Sequence, residues 1–290
     1  MLDYRVKATA AGGSIRAIAT RTTHTARAIQ SVQQASPVAA AALGRLATAA
    51  VLLAADFKTD FRLMVEVDGQ GPLGRTVAEI RTGGLVRARA QHPGIDLPLR
   101  ADGKLAVGQA VGCPGVLRVV REEAGQAPYE GRTPLISGEI GQDLTAYYVQ
   151  SEQVPSAVAL GVLVDRDTTV AAAGGIVVQA LPGSDGRTEE IAARFEQLHN
   201  LSLRLSLGDT PEDLLRYVLP GPIHWFEREP IQYQCQCSLE HSIAIIESLP
   251  KEELESLLLE QGAEVVCHYC NTAYPISAAV LHRATQISEH

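Results

Sequence analysis

Four of the five cysteines of this 290-residue chain stand in two close pairs near its end. One residue separates Cys235 from Cys237, and two residues separate Cys267 from Cys270. Residues two apart in an extended segment point to the same side, and the wider spacing is typical of a turn that wraps a metal ion. Four thiolates around one tetrahedral ion leave no coordination position open for a substrate. The sequence therefore predicts one closed, structural zinc site formed by these four residues.

The metal site also limits how its surroundings can fold. Residues 231–290 form a unit of the size that usually needs a disulfide or a metal to be stable. Zinc binding contributes on the order of 10 to 16 kcal/mol to the folding of such small domains, against roughly 5 to 15 kcal/mol for the stability of an ordinary domain. Loss of zinc is therefore expected to unfold this unit. Both a purely structural metal and a switch stay open at this point, because zinc thiolates can be oxidised.

The preceding part of the chain is predicted to be a large, mainly β domain with packed helices. Residues 1–181 repeatedly alternate apolar and polar side chains, as at Val6, Ala8 and Ala10. Helices are not interleaved one per strand, which favours the α+β class over a doubly wound sheet. A helical connector is predicted at 182–230, followed by the small C-terminal four-cysteine zinc domain at 231–290. Further strands are expected at 115–121, 133–139, 156–164 and 168–181, and further helices at 144–153, 239–248 and 250–262.

The most apolar stretch runs from Pro37 to Ala55 and is predicted to be a buried helix. Ser36 supplies an N-cap, with proline at the first helical position. Arg45 lies in the middle, and a central arginine costs roughly 2.5 to 3.5 kcal/mol on membrane-insertion scales, so no membrane span is expected. The opening MLDYRVKATA lacks the basic region and apolar run of an export signal. We therefore expect a cytoplasmic protein, in a compartment where thiols stay reduced.

The charge of the chain argues against a nucleic-acid partner. Residues 1–179 hold 18 Lys and Arg against 16 Asp and Glu, whereas residues 180–290 hold 7 against 17. The cysteine-bearing residues 231–290 hold 2 against 8. Such a balance repels phosphates and releases no counterions from them. A zinc-ribbon nucleic-acid-binding protein is therefore only an alternative function.

A thiol–disulfide oxidoreductase is the second alternative. Its Cys-x-x-Cys motif normally needs a helix N-terminus to lower the thiol pKa. After Cys270, however, the run Tyr274-Pro275-Ile276 predicts an extended segment. We therefore expect no catalytic residue and no enzyme activity.

The order of these features resembles a known family. The cysteine pairs stand near the C-terminus, after a long domain that lacks such pairs. Four further segments carry the same resemblance, namely the opening DYRVKATA, the helix SPVAAAALGRLATAAVLL, the run GEIGQDLTAYYVQSEQVPSAVALGVLV from Gly138 and the run AAAGGIVVQALPG from Ala171. On these residues, nearly the whole chain resembles the bacterial redox-regulated holdase chaperones, the 33-kilodalton heat-shock protein class.

This resemblance implies a mechanism as well as a fold. It implies a reduced, zinc-bound, inactive form and an oxidised form with Cys235 joined to Cys237 and Cys267 joined to Cys270. In the oxidised form the connector loosens, and unfolding client proteins are held without ATP under oxidative and heat stress, often by a homodimer. Cys113 falls outside the pattern and is expected to be a buried or incidental thiol with no assigned role.

Apolar residues of the connector are candidates for the client surface. These residues are Leu201, Leu203, Leu205 and Leu207, followed by Tyr217, Trp225 and Phe226. They would give the connector an apolar face once uncovered. The competing interpretation is that they are core residues, because aliphatic stripes more often pack inside.

Overall fold

A computed structural model describes residues 2–184, 188–198, 200–259 and 262–287, with the backbone alone at Thr188 and at 284–287. The chain divides into an N-terminal unit at Met1–Gln234 and a C-terminal unit at Cys235–His290. The described residues of the proposed connector belong to the N-terminal unit in this division. The boundaries after residues 181 and 230 stay predictions.

The strands of the N-terminal unit form two sheets. They are β1 (Tyr4–Ala10), β2 (Ile15–Arg21), β3 (Phe61–Asp68), β4 (Thr76–Arg81), β5 (Leu85–Ala90), β6 (Val116–Glu123), β7 (Tyr129–Pro134), β8 (Ser156–Val164), β9 (Val170–Ala180), β10 (Ile223–Trp225), β11 (Glu229–Pro230) and β12 (Gln232–Tyr233). The first sheet has the order β10-β1-β2-β9-β8, with β11 also pairing with β1, and the second has the order β12-β5-β4-β3-β6-β7. Most neighbours are antiparallel, and β12 pairs with β5 in parallel. This arrangement confirms the predicted α+β class.

Helices pack on both sides of the first sheet. They are α1 (Thr23–Gln33), α2 (Pro37–Leu53), α3 (Val107–Val111), α4 (Ile140–Gln150), α5 (Thr188–Glu196), α6 (Leu201–Ser206) and α7 (Pro211–Val218). One apolar core surrounds α2, which contacts strands of both sheets. A second core joins buried side chains of β1, β2 and β9 to those of α5, α6 and α7.

Helix α2 confirms the predicted buried helix. The Ser36 side chain accepts a hydrogen bond from the backbone N–H of Ala39 at 3.3 Å, as expected of an N-cap. With the 3-10 turn Ala54–Asp56, this helix is long and apolar enough to pass for a membrane span by composition, but 94% of its apolar window is buried inside the protein. Arg45 pairs with Glu139 at 2.5 Å, so the charge in the middle of the helix has a partner.

The strand predicted at 133–139 is wrong over most of its length. Strand β7 ends at Pro134, and α4 begins at Ile140 rather than at the predicted residue 144. The buried Asp143 carboxylate accepts hydrogen bonds from the backbone N–H groups of Ile136 and Ser137 at 2.7 and 3.1 Å. These bonds occupy backbone donors that a longer strand would need, so the chain turns into the helix instead.

The four leucines of the connector do not share one apolar face. Residues Leu201–Ser206 are helical, and side chains four apart share a helix face. Leu201 and Leu205 are accordingly 5% and 0% exposed, whereas Leu203 and Leu207 are 44% and 79% exposed. Only two of the four leucines are therefore held in the core.

Candidate metal centre

The C-terminal unit is a small α+β body. Its elements are α8 (Leu239–Glu247), α9 (Lys251–Leu259), β13 (Gly262–Val266), β14 (Ala273–Ser277) and α10 (Ala278–Ile287). Residues 260 and 261 of the predicted second helix lie outside the described residues. Among the side chains that the structure describes, four buried ones form the centre of the core, namely Ile246, Leu254, Ile276 and Leu281, and partly buried apolar residues pack against them. Such a core is small for a domain, so the unit needs another source of stability.

The first cysteine pair lies in the irregular segment that leads into α8. Ser238 follows Cys237 directly and is the N-cap of this helix, because its side chain accepts a hydrogen bond from His241 N at 3.2 Å. The Ser238 backbone carbonyl also accepts from Ser242 N at 3.0 Å. The helix start thus holds the end of the segment that carries Cys235 and Cys237.

The second pair lies in the turn that joins β13 to β14. Backbone N–H of Cys267 donates to Thr272 O at 2.9 Å, and Asn271 N donates to Cys267 O at 2.8 Å. Asn271 has a positive φ of 57°, a conformation that asparagine tolerates better than most residues. These bonds close the turn, so that Cys267 and Cys270 reach the same side of the hairpin end.

The four sulfur atoms meet in one cluster, with all ligand atoms within 4.8 Å of one another. Cys235 Sγ is 3.5 Å from Cys237 Sγ and 3.6 Å from Cys267 Sγ. Cys237 Sγ is 3.3 Å from Cys270 Sγ. A tetrahedral zinc ion with Zn–S bonds of about 2.3 Å places its sulfurs about 3.8 Å apart. The sulfur set therefore fits zinc in both chemistry and spacing.

Local contacts give two of the thiols different pKa values. Burial raises the pKa of Cys237 to about 12, although a hydrogen bond donated by Tyr274 Oη at 3.1 Å acts against the rise. Burial also acts to raise the pKa of Cys270, but hydrogen bonds with the Thr272 hydroxyl and backbone outweigh it and lower the pKa to about 7. Thiolates this close repel one another, so a cation is needed for all four to be deprotonated together.

The whole-chain comparisons identify the family of this site. The family model described as Hsp33 protein matches residues 3–277. The chain belongs to the Hsp33 family. It is 41% identical over 275 residues to the 33 kDa chaperonin of Staphylococcus aureus strains Newman and COL, covering 94% of this chain and 94% of each relative. The crystal structure of the 33 kDa chaperonin (heat shock protein 33 homolog) from Thermotoga maritima matches with a TM-score of 0.90 and 32% identity, over 100% of this chain and 99% of that chain.

Membership of the Hsp33 family confirms the resemblance and makes the chain a chaperone, which binds unfolded client proteins. The cysteine cluster is suited to the zinc and redox chemistry that the sequence indicates. Cys270 is followed by β14 rather than by a helix. Oxidoreductases place a helix N-terminus at this motif, which lowers the thiol pKa, whereas this chain continues into a strand.

Two residues of this candidate metal centre were missed by sequence reasoning. Tyr274 lies on β14 and reaches back to Cys237, 37 positions earlier, so no local pattern could reveal it. Thr272 lies only two positions after Cys270, and its hydroxyl is 3.2 Å from Cys270 Sγ. Because Thr272 follows the Cys-x-x-Cys pair so closely in the sequence, its hydroxyl was a recognisable candidate for a hydrogen bond to a sulfur.

Cys113 belongs to the N-terminal unit and is not a member of the cluster. It is exposed, which excludes the buried alternative for this thiol. Its Sγ donates a weak hydrogen bond to Leu135 O at 3.5 Å. Gly112 precedes it with a positive φ of 85°, so the residue lies in a turn between α3 and β6. Turns of this kind run over the surface.

Proposed function

We propose that the chain is a redox-regulated, ATP-independent holdase, inactive while its four cysteines hold zinc and active once they are oxidised. The observation that carries this proposal is the cluster of four sulfurs within 4.8 Å, in a unit whose core has four buried side chains. The cysteines would act as a sensor, with no residue acting as a catalyst. The proposed compartment is the cytoplasm, because its reducing conditions keep thiols available for a metal.

Cys235, Cys237, Cys267 and Cys270 would hold one zinc ion. When bound, zinc would supply the positive charge that keeps four neighbouring sulfurs deprotonated. The first pair precedes α8, and the second lies between β13 and β14. The sulfurs therefore tie the start of the C-terminal unit to its hairpin, which the small apolar core alone holds weakly.

Oxidation is proposed to join Cys235 to Cys237 and Cys267 to Cys270, the pairing that the family resemblance implies. Each disulfide forms from two thiolates, which lose two electrons to one molecule of hydrogen peroxide; two protons from the solvent complete two molecules of water. Either disulfide removes two of the four ligands. Because metal binding and folding are coupled in small zinc domains, we expect the C-terminal unit to unfold.

The client surface is proposed to lie under α5, α6 and α7. The sheet face beneath these helices carries buried apolar side chains of β1, β2 and β9, including Val6, Ile15 and Ile176. Loosening of the connector would uncover this face. A contiguous apolar surface of that kind is a site for protein binding.

The active form is proposed to be a homodimer joined through β8. This strand ends the first sheet, and within the described part of the chain no strand pairs with its outer side. Its sequence SAVALGVLV carries no charge that would prevent edge-to-edge pairing. Two copies related by a twofold axis would pair the same strand antiparallel.

The edge of β8 can be tested with Val158→Pro. Pro155 O accepts from Ala180 N, so by alternation along the strand the backbone N–H of Val158 points to the outer side. Proline there removes a donor from the free edge and spares the pairing with β9. We expect the oxidised variant to sediment as a monomer, and a persistent dimer would exclude this edge.

The proposed function is tested by treating the zinc-loaded full chain with peroxide. Zinc release to a chromophoric chelator, far-UV circular dichroism and aggregation of an unfolding client are followed together. We expect zinc release, loss of secondary structure and suppressed aggregation, with disulfides located by peptide mapping. Cys113→Ser is the matched control and should respond as the unchanged protein does. If zinc leaves and the client still aggregates, the site is a structural zinc module only.

A further inference from the structure

The outer edge of β1 is paired less continuously than its inner edge. Its inner edge pairs with β2 over the whole of Tyr4–Ala10. Its outer edge pairs with β10 only at Ala8, Thr9 and Ala10, and with β11 only at Tyr4 and Arg5. We call residues 223–230, which lie along this outer edge, the cover segment. The cover is interrupted, because the residues between Trp225 and Glu229 form no bridge with β1.

Backbone groups of alternate β1 residues face the cover segment. Lys7 O accepts a hydrogen bond from Phe226 N at 3.0 Å, and Asp3 O accepts from Ile231 N at 3.1 Å. Because N–H and C=O of one residue point to the same side of a strand, Arg5, Lys7 and Thr9 present their backbone groups to this edge. Val6 and Ala8 present theirs to β2. A continuous partner strand would pair with the outer edge more completely than the cover does.

Side chains of the cover segment show what the edge recognises. Glu229 lies opposite Arg5 and accepts from Arg5 Nε at 2.9 Å, and its other oxygen is 3.1 Å from Lys7 Nζ. Arg5 is only 4% exposed, so this carboxylate neutralises a nearly buried charge. Toward the other end, Ile223 and Trp225 pack against the second apolar core. The edge thus accepts an extended backbone with a carboxylate near one end and alternate apolar side chains near the other.

We propose that the outer edge of β1 docks one extended segment of an unfolding client polypeptide, which adds to the first sheet as a strand when the cover segment leaves. Client segments with an acidic residue facing Arg5 and Lys7 and apolar residues at alternate positions bind best. Strand addition of this kind takes affinity from the backbone and specificity from alternate side chains. The inference rests on the proposed function, because Pro230 stands five positions before Cys235 and the cover is released with the connector.

Residue-resolved hydrogen exchange on the full chain tests the docking. The amides of Arg5 and Thr9, which lie opposite Glu229 and His224, are protected in the reduced, zinc-loaded protein, lose protection after oxidation and regain it when unfolded, carboxymethylated α-lactalbumin is bound. The amides of Val6 and Ala8, which face β2, stay protected throughout and serve as the internal reference. If client is bound while the amides of Arg5 and Thr9 still exchange, the inference is overturned and the holdase function is left intact. If the proposed holdase function itself is wrong, the oxidised protein binds no client in this experiment.

Reversing the charge at position 229 of a peptide tests whether the outer edge of β1 recognises a carboxylate. The probes are a synthetic peptide with the sequence of residues 222–231 and the same peptide carrying Glu229→Lys. The oxidised full chain binds the acidic peptide at least about tenfold more tightly, because Glu229 makes charge-assisted contacts with both Arg5 and Lys7. The Lys7→Glu protein loses this preference, whereas Lys104→Glu, at a lysine with a 71% exposed side chain, keeps it. Equal preference in both variants, or no peptide binding by protein that still binds client, overturns the inference.

Discussion

Replacing Tyr274 with phenylalanine is expected to weaken zinc binding without disturbing the fold of the C-terminal unit. Tyr274 Oη donates to Cys237 Sγ at 3.1 Å. Phenylalanine keeps the ring on β14 and removes only the hydroxyl. The thiolate of Cys237 then loses the one hydrogen bond that opposes the effect of burial on its pKa.

The size of this effect is set by the single hydrogen bond that the substitution removes. Changing a partner that orients a metal ligand typically lowers metal affinity about 10- to 100-fold. One hydrogen bond to a charged group contributes about 1.5 to 3 kcal/mol, which corresponds to the same range. Because only one of the four sulfurs is affected, we expect about a tenfold rise in the zinc Kd.

Competition against a chromophoric chelator measures this Kd on the reduced full chain at neutral pH. Tyr129→Phe is the matched control, since it removes a hydroxyl that lies 3.2 Å from Ser151 Oγ in the N-terminal unit. Far-UV circular dichroism of both zinc-loaded variants checks that the fold is kept. The same zinc Kd for Tyr274→Phe and Tyr129→Phe would refute a role for the hydroxyl in stabilising the thiolate.

Four further substitutions test the N-terminal unit by urea unfolding. Glu79→Gln should destabilise it by about 3 kcal/mol, because this carboxylate is 1% exposed and pairs with three arginines. Burial acts to raise the pKa of Glu79, but its contacts with Arg62, Arg81 and Arg87 outweigh burial and lower the pKa. These ion pairs therefore stabilise the N-terminal unit at neutral pH, and their contribution is lost as the pH falls below 4.5 toward the lowered pKa. Ser36→Ala should cost about 1 kcal/mol as a lost N-cap. Leu205→Ala should cost about 2 to 5 kcal/mol, whereas the exposed Leu207→Ala should stay within about 0.5 kcal/mol; equal effects would show that α6 is not docked through Leu205.

Sequence patterns predicted the structure correctly where the residues that determine it are neighbours along the chain. Ser36 and Pro37 start α2 through a local cap, and the apolar run behind them has no polar face to expose. The cysteine spacing likewise predicted that four sulfurs meet, without any knowledge of the fold. In both places the decisive signal lies within a few positions along the chain.

The features that could not be predicted from the sequence depend on contacts between residues far apart along the chain. Helix α1 is rich in threonine, a poor helix former, and its first turn is held by Asp3, whose carboxylate accepts from Thr25 N at 2.7 Å. Tyr274 reaches the metal centre in the same long-range manner. The alternating leucines of α6 satisfy a strand pattern and a helix pattern alike, and only packing against β8 and β9 selects the helix.

The apolar cores of the two units differ in size, and this difference explains why loss of a metal would act first on the C-terminal unit. The four buried side chains of that unit contribute about 6 to 12 kcal/mol, at about 1.5 to 3 kcal/mol each. Zinc binding contributes on the order of 10 to 16 kcal/mol in such domains, about as much as these four side chains together. The N-terminal unit has two extensive apolar cores and no sulfur of the cluster. In the proposed switch, oxidation of the cysteines would therefore remove a decisive share of the stability of the small unit. In the large unit it would disturb only the second core, where α5, α6 and α7 pack on the sheet, and would leave the core around α2 in place.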